Sequence, residues 1–144
     1  MTGLRSFGRA LRLQARAVVL LIAVVWSLRR RDTSQTLRRL CTHRRWDAIA
    51  PDDGLRAVRR AARIVPANCL AQSIALTVAF ESAGASPMLV LGCRRYESNK
   101  WGAHAWVRVG DEVLDPRPSG PHSALAALDA GTDWVPTPSV TAPR

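Results

Sequence analysis

Through residues 1–84 the apolar positions recur mostly at three- and four-residue steps, and beyond Gly84 they shift to short runs and alternation. That change of period predicts a set of helices followed by a small sheet. The most hydrophobic stretch is 17–28, AVVLLIAVVWSL, twelve residues that as a helix reach about 18 Å. This falls short of the roughly 30 Å hydrocarbon core of a bilayer. Arg5, Arg9, Arg12 and Arg16 precede it and Arg29-Arg30-Arg31 follow, with no small-residue cleavage site, so an export signal is disfavoured. The stretch is read as a helix packed on the domain or on a partner protein. The alternatives are an interfacial membrane helix with snorkelling arginines and a short anchor.

A second helix is expected over 34–48, capped by Thr33 or Ser34, with Leu37, Leu40 and Cys41 at helical spacing. Pro51-Asp52-Asp53 restarts a helix through Leu55, Val58, Ala61 and Ala62 that ends before Pro66. Its other face carries Arg56, Arg59, Arg60 and Arg63, the expected solvent side. Asn68 is a good N-cap for the next helix. That helix carries Cys69 in its first turn and Leu70, Ile74, Thr77, Val78 and Glu81 along one side, with Gly84 as its stop. Strands are then expected at 88–93 and 102–109, with a polar loop between them, and Gly110-Asp111 turns the second strand back into 112–114. An Ala/Leu-rich helix is expected over Ser123–Asp129, stopped by Gly131, before a proline-bearing tail. Helices first and strands after make the class α+β. The domain organisation expected is a basic, apolar helical region over 1–50, a core over 51–131 and a Pro-rich tail over 132–144.

Charge divides the chain. Of the net +10, residues 1–63 hold fifteen Arg against four acids, while 64–144 hold six Lys/Arg against seven acids. A basic arm of that kind suits nucleic acid, anionic lipid, an acidic peptide or simply solvent. The near-neutral remainder argues against nucleic-acid binding as the whole function, and no nucleic-acid partner is expected. Three cysteines, Cys41, Cys69 and Cys93, with no C-x-x-C pair, make neither a disulfide framework nor a zinc site. A reducing cytoplasm suits such a chain, with membrane association through 17–28 as the alternative.

Candidate chemistry sits in the neutral part. A thiol in the first turn of a helix meets unpaired N–H groups and the positive end of the dipole, which favour thiolate. Cys69 has that setting, whereas Cys41 and Cys93 read as small buried hydrophobes. With Gly110-Asp111 as the turn, Val109 opposes Glu112 and Val107 opposes Leu114, which makes His104 and Asp115 diagonal neighbours on one sheet face. A one-residue slip would separate them. Ala105, Val107 and Leu114 form the more apolar opposite face. Cys69 as nucleophile, His104 as proton carrier and Asp115 as the orienting acid form a thiol triad in chain order. The Cys69 N–H, Gln72 and Asn68 are candidate oxyanion donors. Trp101 and Trp106 flank His104 as candidate walls of a peptide cleft, or as sheet packing. His43 and His122 read as surface residues.

These residues resemble a known family. Val58-Arg59-Arg60-Ala61-Ala62-Arg63, Pro66, Cys69-Leu70, Gln72, Leu91-Gly92-Cys93-Arg94 and Ala103-His104-Ala105-Trp106-Val107 are similar to the motifs of lasso-peptide biosynthesis B proteins. Those are transglutaminase-like leader peptidases, and the likeness covers about 55–116. Leu114-Asp115-Pro116 is a weaker match, and Arg108 stands where the family often has an acid. The resemblance implies a papain/transglutaminase-like fold in which the Cys69 helix packs on a small antiparallel sheet. It implies thiol-dependent removal of the leader from a ribosomally made precursor peptide, without cofactor or metal. It also implies two protein partners. One is a separate small leader-binding protein, since the first fifty residues read as helices and not as a winged domain. The other is an asparagine-synthetase-like cyclase. Acyl transfer to an amine is the rival outcome of the same chemistry, and a non-catalytic membrane-surface or nucleic-acid binder is the rival class.

Overall fold

Ten consecutive residues, Ala71–Phe80, are buried, so the helix that contains them is enclosed on every side. In the computed structural model this is α4 (Cys69–Ser82), the hub of the fold. Three helices precede it: α1 (Thr2–Leu28), α2 (Thr33–Cys41) and α3 (Pro51–Ala61), and all three pack against it. The structure describes residues 2–42, 47–118, 120, 122–129 and 135–136, with backbone alone at 2–6 and 135–136.

Local sequence explains the helix starts. Asp32 accepts the Gln35 N–H at 2.8 Å and caps α2, one residue before the expected cap. Pro51 opens α3 with Asp52 and Asp53 in the first turn and Arg59 and Arg60 in the last, the arrangement the helix dipole favours. Asn68 accepts the Ala71 N–H at 2.9 Å, a cap worth about 1 kcal/mol. Two helical expectations change. The first helix runs for 27 residues, well past the apolar stretch, because the Arg-bearing turns before it continue the same helix. The second ends at Cys41, not Ala48, with its Arg38 and Arg39 in the last turn. His43 lies outside the described residues.

The other layer is an antiparallel sheet in the order β3-β2-β1-β4-β5, comprising β1 (Pro87–Arg95), β2 (Trp101–Val109), β3 (Glu112–Leu114), β4 (Ser123–Leu128) and β5 (Val135–Pro136). The β2–β3 hairpin has the expected register, Val107 opposite Leu114 and Val109 opposite Glu112. Gly110 makes the turn at φ +60°, where a side chain would be strained. The helix expected over Ser123–Asp129 is instead β4, antiparallel to β1. Ala and Leu favour helix locally, but the open edge of β1 offers a ladder of backbone groups that β4 satisfies, and tertiary pairing outweighs that weak propensity. β5 pairs with β4 through Ala127 and Val135, and residues 137–144 lie outside the described set.

The main core fills the space between helices and sheet. It joins Ala17, Leu20, Leu21 and Val24 of α1 to Ile74 and Val78 of α4 and to Leu89, Ala105, Val107 and Leu114 of the sheet. Four buried hydroxyls find partners within it. Ser73 Oγ donates to the Ala105 carbonyl at 2.9 Å, Thr77 Oγ donates to the Ser73 carbonyl at 2.9 Å, and Ser27 and Thr36 share a bond of 3.1 Å that ties α1 to α2. A second cluster, Val90, Trp106, Ala124 and Ala127, occupies the sheet's other face.

Candidate active site

The pleat of β2 sends Ala105 and Val107 into the helical core and His104 and Trp106 to the opposite face. His104 is 5% exposed there. Its Nε2 lies 2.8 and 2.9 Å from the two carboxylate oxygens of Asp115. Facing a carboxylate, Nε2 carries the proton and donates, so Nδ1 is the ring nitrogen left to exchange a proton with a reactant. Asp115 is itself held: its Oδ1 accepts the Arg117 N–H at 2.8 Å. Arg59 of α3 donates to the Asp115 carbonyl at 2.6 Å and to the Pro116 carbonyl at 3.2 Å. Arg59 lies on the exposed side of α3, as expected, and from there it also clamps the loop that carries the acid.

Cys69 is the first residue of α4 and is half-buried. The Asn68 cap takes the Ala71 N–H, and the Gln72 N–H goes to the Asn68 carbonyl at 3.1 Å. The Cys69 and Leu70 N–H groups are left, among the described residues, as first-turn donors without a partner. The thiol and the His104 imidazole share no hydrogen bond.

The remaining candidates divide. Gln72 is buried, and its Nε2 donates one N–H to the Ala67 carbonyl at 2.9 Å, which braces the approach to the helix. Asn68 spends its Oδ1 on the cap. Trp101 is exposed at the start of β2, where a substrate can meet it. Trp106 is 1% exposed, so it backs the site and walls no cleft; its Nε1 is buried without a partner among the described residues. A groove of about 520 Å³ runs beside the acid loop and the α4 approach, with Arg59, Arg63, Pro66 and Arg117 among its lining.

His122 is not a surface residue. It is buried at 2%, its ring centroid lies 4.7 Å from that of His104, and its Nδ1 donates to the Gly120 carbonyl at 2.8 Å. Burial pushes its pKa below the ordinary histidine value, against the Gly120 bond, and the nearby His104 and Arg94 add to the depression. It therefore lies tilted against His104 with its charged form disfavoured. Nothing local in Pro121-His122-Ser123 reports this, since the partner is eighteen positions away. Cys41 is buried enough that its thiol is pushed up to about 12, mainly by desolvation with Glu81 adding to it, and it stays protonated at neutral pH.

The transglutaminase-like superfamily pattern matches residues 11–128, more than three quarters of the chain. The chain belongs to the transglutaminase-like superfamily. No curated protein and no solved structure matches it. Members of this superfamily are generally cysteine proteases or acyltransferases, and the α+β layering of α4 on an antiparallel sheet is the superfamily's fold. The match begins inside α1, so the transglutaminase-like domain includes the N-terminal helices that complete its core.

Proposed function

We propose that the protein is a cysteine peptidase that removes the leader from a ribosomally made lasso-peptide precursor. The observation that carries this reading is the His104–Asp115 clasp on β2, read together with Cys69 at the capped start of α4. Cys69 Sγ attacks the carbonyl carbon that joins leader to core, after yielding its proton to His104 Nδ1. The Cys69 and Leu70 N–H groups bind the oxyanion of the tetrahedral adduct. As the adduct collapses, the C–N bond breaks and His104 returns the proton to the departing amine, which becomes the free N-terminus of the core. A thioester remains on Cys69. Water, deprotonated by His104, then hydrolyses it and releases the leader as a carboxylic acid. Asp115 keeps Nε2 protonated and stabilises the imidazolium in both halves.

Support for the lasso assignment, beyond the superfamily, comes from Cys69-Leu70 and Ala103-His104-Ala105-Trp106-Val107 in order and spacing. A separate leader-binding protein delivers the precursor, and a cyclase consumes the freed amine. Mass spectrometry of precursor incubated with the protein and its leader-binding partner tests the proposal. Wild type releases leader and core; Cys69→Ala, folded as wild type, releases neither. Unchanged turnover in Cys69→Ala would sink the assignment. Acyl transfer shares the thioester, and superfamily membership accommodates it equally; a product heavier by an amine in place of water identifies it.

A further inference from the structure

The inner face of α1 is committed to the core, while its outer face is apolar too. Phe7, Leu11, Val19, Ile22 and Trp26 are between 71% and 50% exposed. They step by three, four or eight residues with exposed Ala15 between, so they form one stripe along the helix. From Phe7 to Trp26 the stripe is ~28 Å long. The stripe lies on the side of α1 turned away from the core residues Ala17, Leu20, Leu21 and Val24.

Charge identifies the occupant. Residues 1–31 contain seven Arg and no acid. Arginines border the stripe at both ends, Arg12 near its start and Arg29–Arg31 at its finish, and the Arg30 guanidinium lies 4.0 Å over the Trp26 ring. A flat surface of apolar chains beneath anionic headgroups satisfies both features at once. The side chains enter the acyl boundary, and the guanidinium groups stay at headgroup level. Phe7–Leu28 is also long and apolar enough to cross a bilayer. Crossing, however, would pull Ala17, Leu20, Leu21 and Val24, each no more than 1% exposed, out of the core.

We propose that α1 docks the folded domain in-plane on an anionic lipid bilayer through the Phe7–Trp26 stripe. The contact is independent of the peptidase reading, because none of these side chains belongs to the candidate site.

Co-sedimentation with vesicles tests it, using phosphatidylglycerol/phosphatidylcholine mixtures against phosphatidylcholine alone. Wild type pellets with the anionic vesicles and remains in solution with the neutral ones. Val19→Gln/Ile22→Gln/Trp26→Gln keeps every charge and, from three half-exposed side chains, partitions roughly 100-fold more weakly. Its circular dichroism and melting temperature match wild type; should the triple variant misfold, Ile22→Gln alone gives a drop of roughly fivefold. Wild type left in solution with anionic vesicles, or a folded variant that pellets equally well, overturns the proposal. The second result would assign the binding to the arginines without the stripe.

Discussion

Asp115 contributes through two contacts at once, one to His104 and one to its own loop. Asp115→Asn keeps an acceptor for the Arg117 N–H and loses the charge that stabilises an imidazolium. Its turnover should fall by roughly 10³-fold with little change in melting temperature, read from initial rates and calorimetry. Cys41 and Cys69 should separate by reactivity. Iodoacetamide at neutral pH labels Cys69 and spares Cys41, whose thiol is pushed up to about 12. Peptide mapping checks this, and equal labelling of Cys41 would contradict the burial assigned to it.

His122 gives the fold a pH dependence of definite sign. Its folded pKa lies below the unfolded value of 6.5, so the unfolded chain takes up a proton first as the pH falls. Its stabilising contribution is complete above pH 6.5 and is lost as the pH drops toward the folded value. The groups around it are His104, Arg94 and Asp115, of which only Asp115 favours the proton. Melting temperature should therefore fall below pH 6.5 in wild type, and that part of the fall should vanish in His122→Phe.

Elements place these residues, and they were legible to different degrees in the sequence. The α4 start and the β2–β3 register could be read because a cap and a two-residue turn are local devices. The β4 segment could not, because Ala124, Ala126 and Ala127 carry no strand signal and only the β1 edge makes them one. Arg59 looked like one charge in a solvent stripe; its carbonyl partners lie 56 and 57 positions away. Arg59→Ala should lower kcat by roughly tenfold through a looser acid loop, and Arg59→Lys, with a single donor point in place of the fork, should restore only part of it. Gly92 is an equally distant constraint. A Cβ there would lie 2.5 Å from the Trp106 ring and 2.6 Å from the Ser123 carbonyl oxygen. Gly92→Val should cost about 3 kcal/mol, seen in denaturant unfolding, since neither the buried ring nor the β4 backbone can retreat.

Across the whole molecule, charge and chemistry occupy different halves of the sequence, yet one core unites them. Leu20 and Leu21 of the basic arm touch the same cluster as Ala105 and Val107 beside His104. Composition alone divided the chain near residue 50, because an Arg-rich helix and a neutral segment with the candidate site look unrelated until their inner faces are seen to meet. The candidate residues were legible for a similar reason in reverse: a thiol at a cap, an imidazole on a strand and an acid after a turn each have a local signature. Their support, the Arg59 clamp and the His122 ring against His104, is written only in three dimensions.

The most direct test of the account is the covalent intermediate. Acid-quenched intact-protein mass spectrometry, during turnover of the precursor with its leader-binding partner, should show the protein heavier by the leader less one water. The adduct should map to Cys69 and be absent in Cys69→Ala. Leader release at the wild-type rate from Cys69→Ala, or an adduct on Cys41 or Cys93 in its place, would contradict Cys69 as the nucleophile.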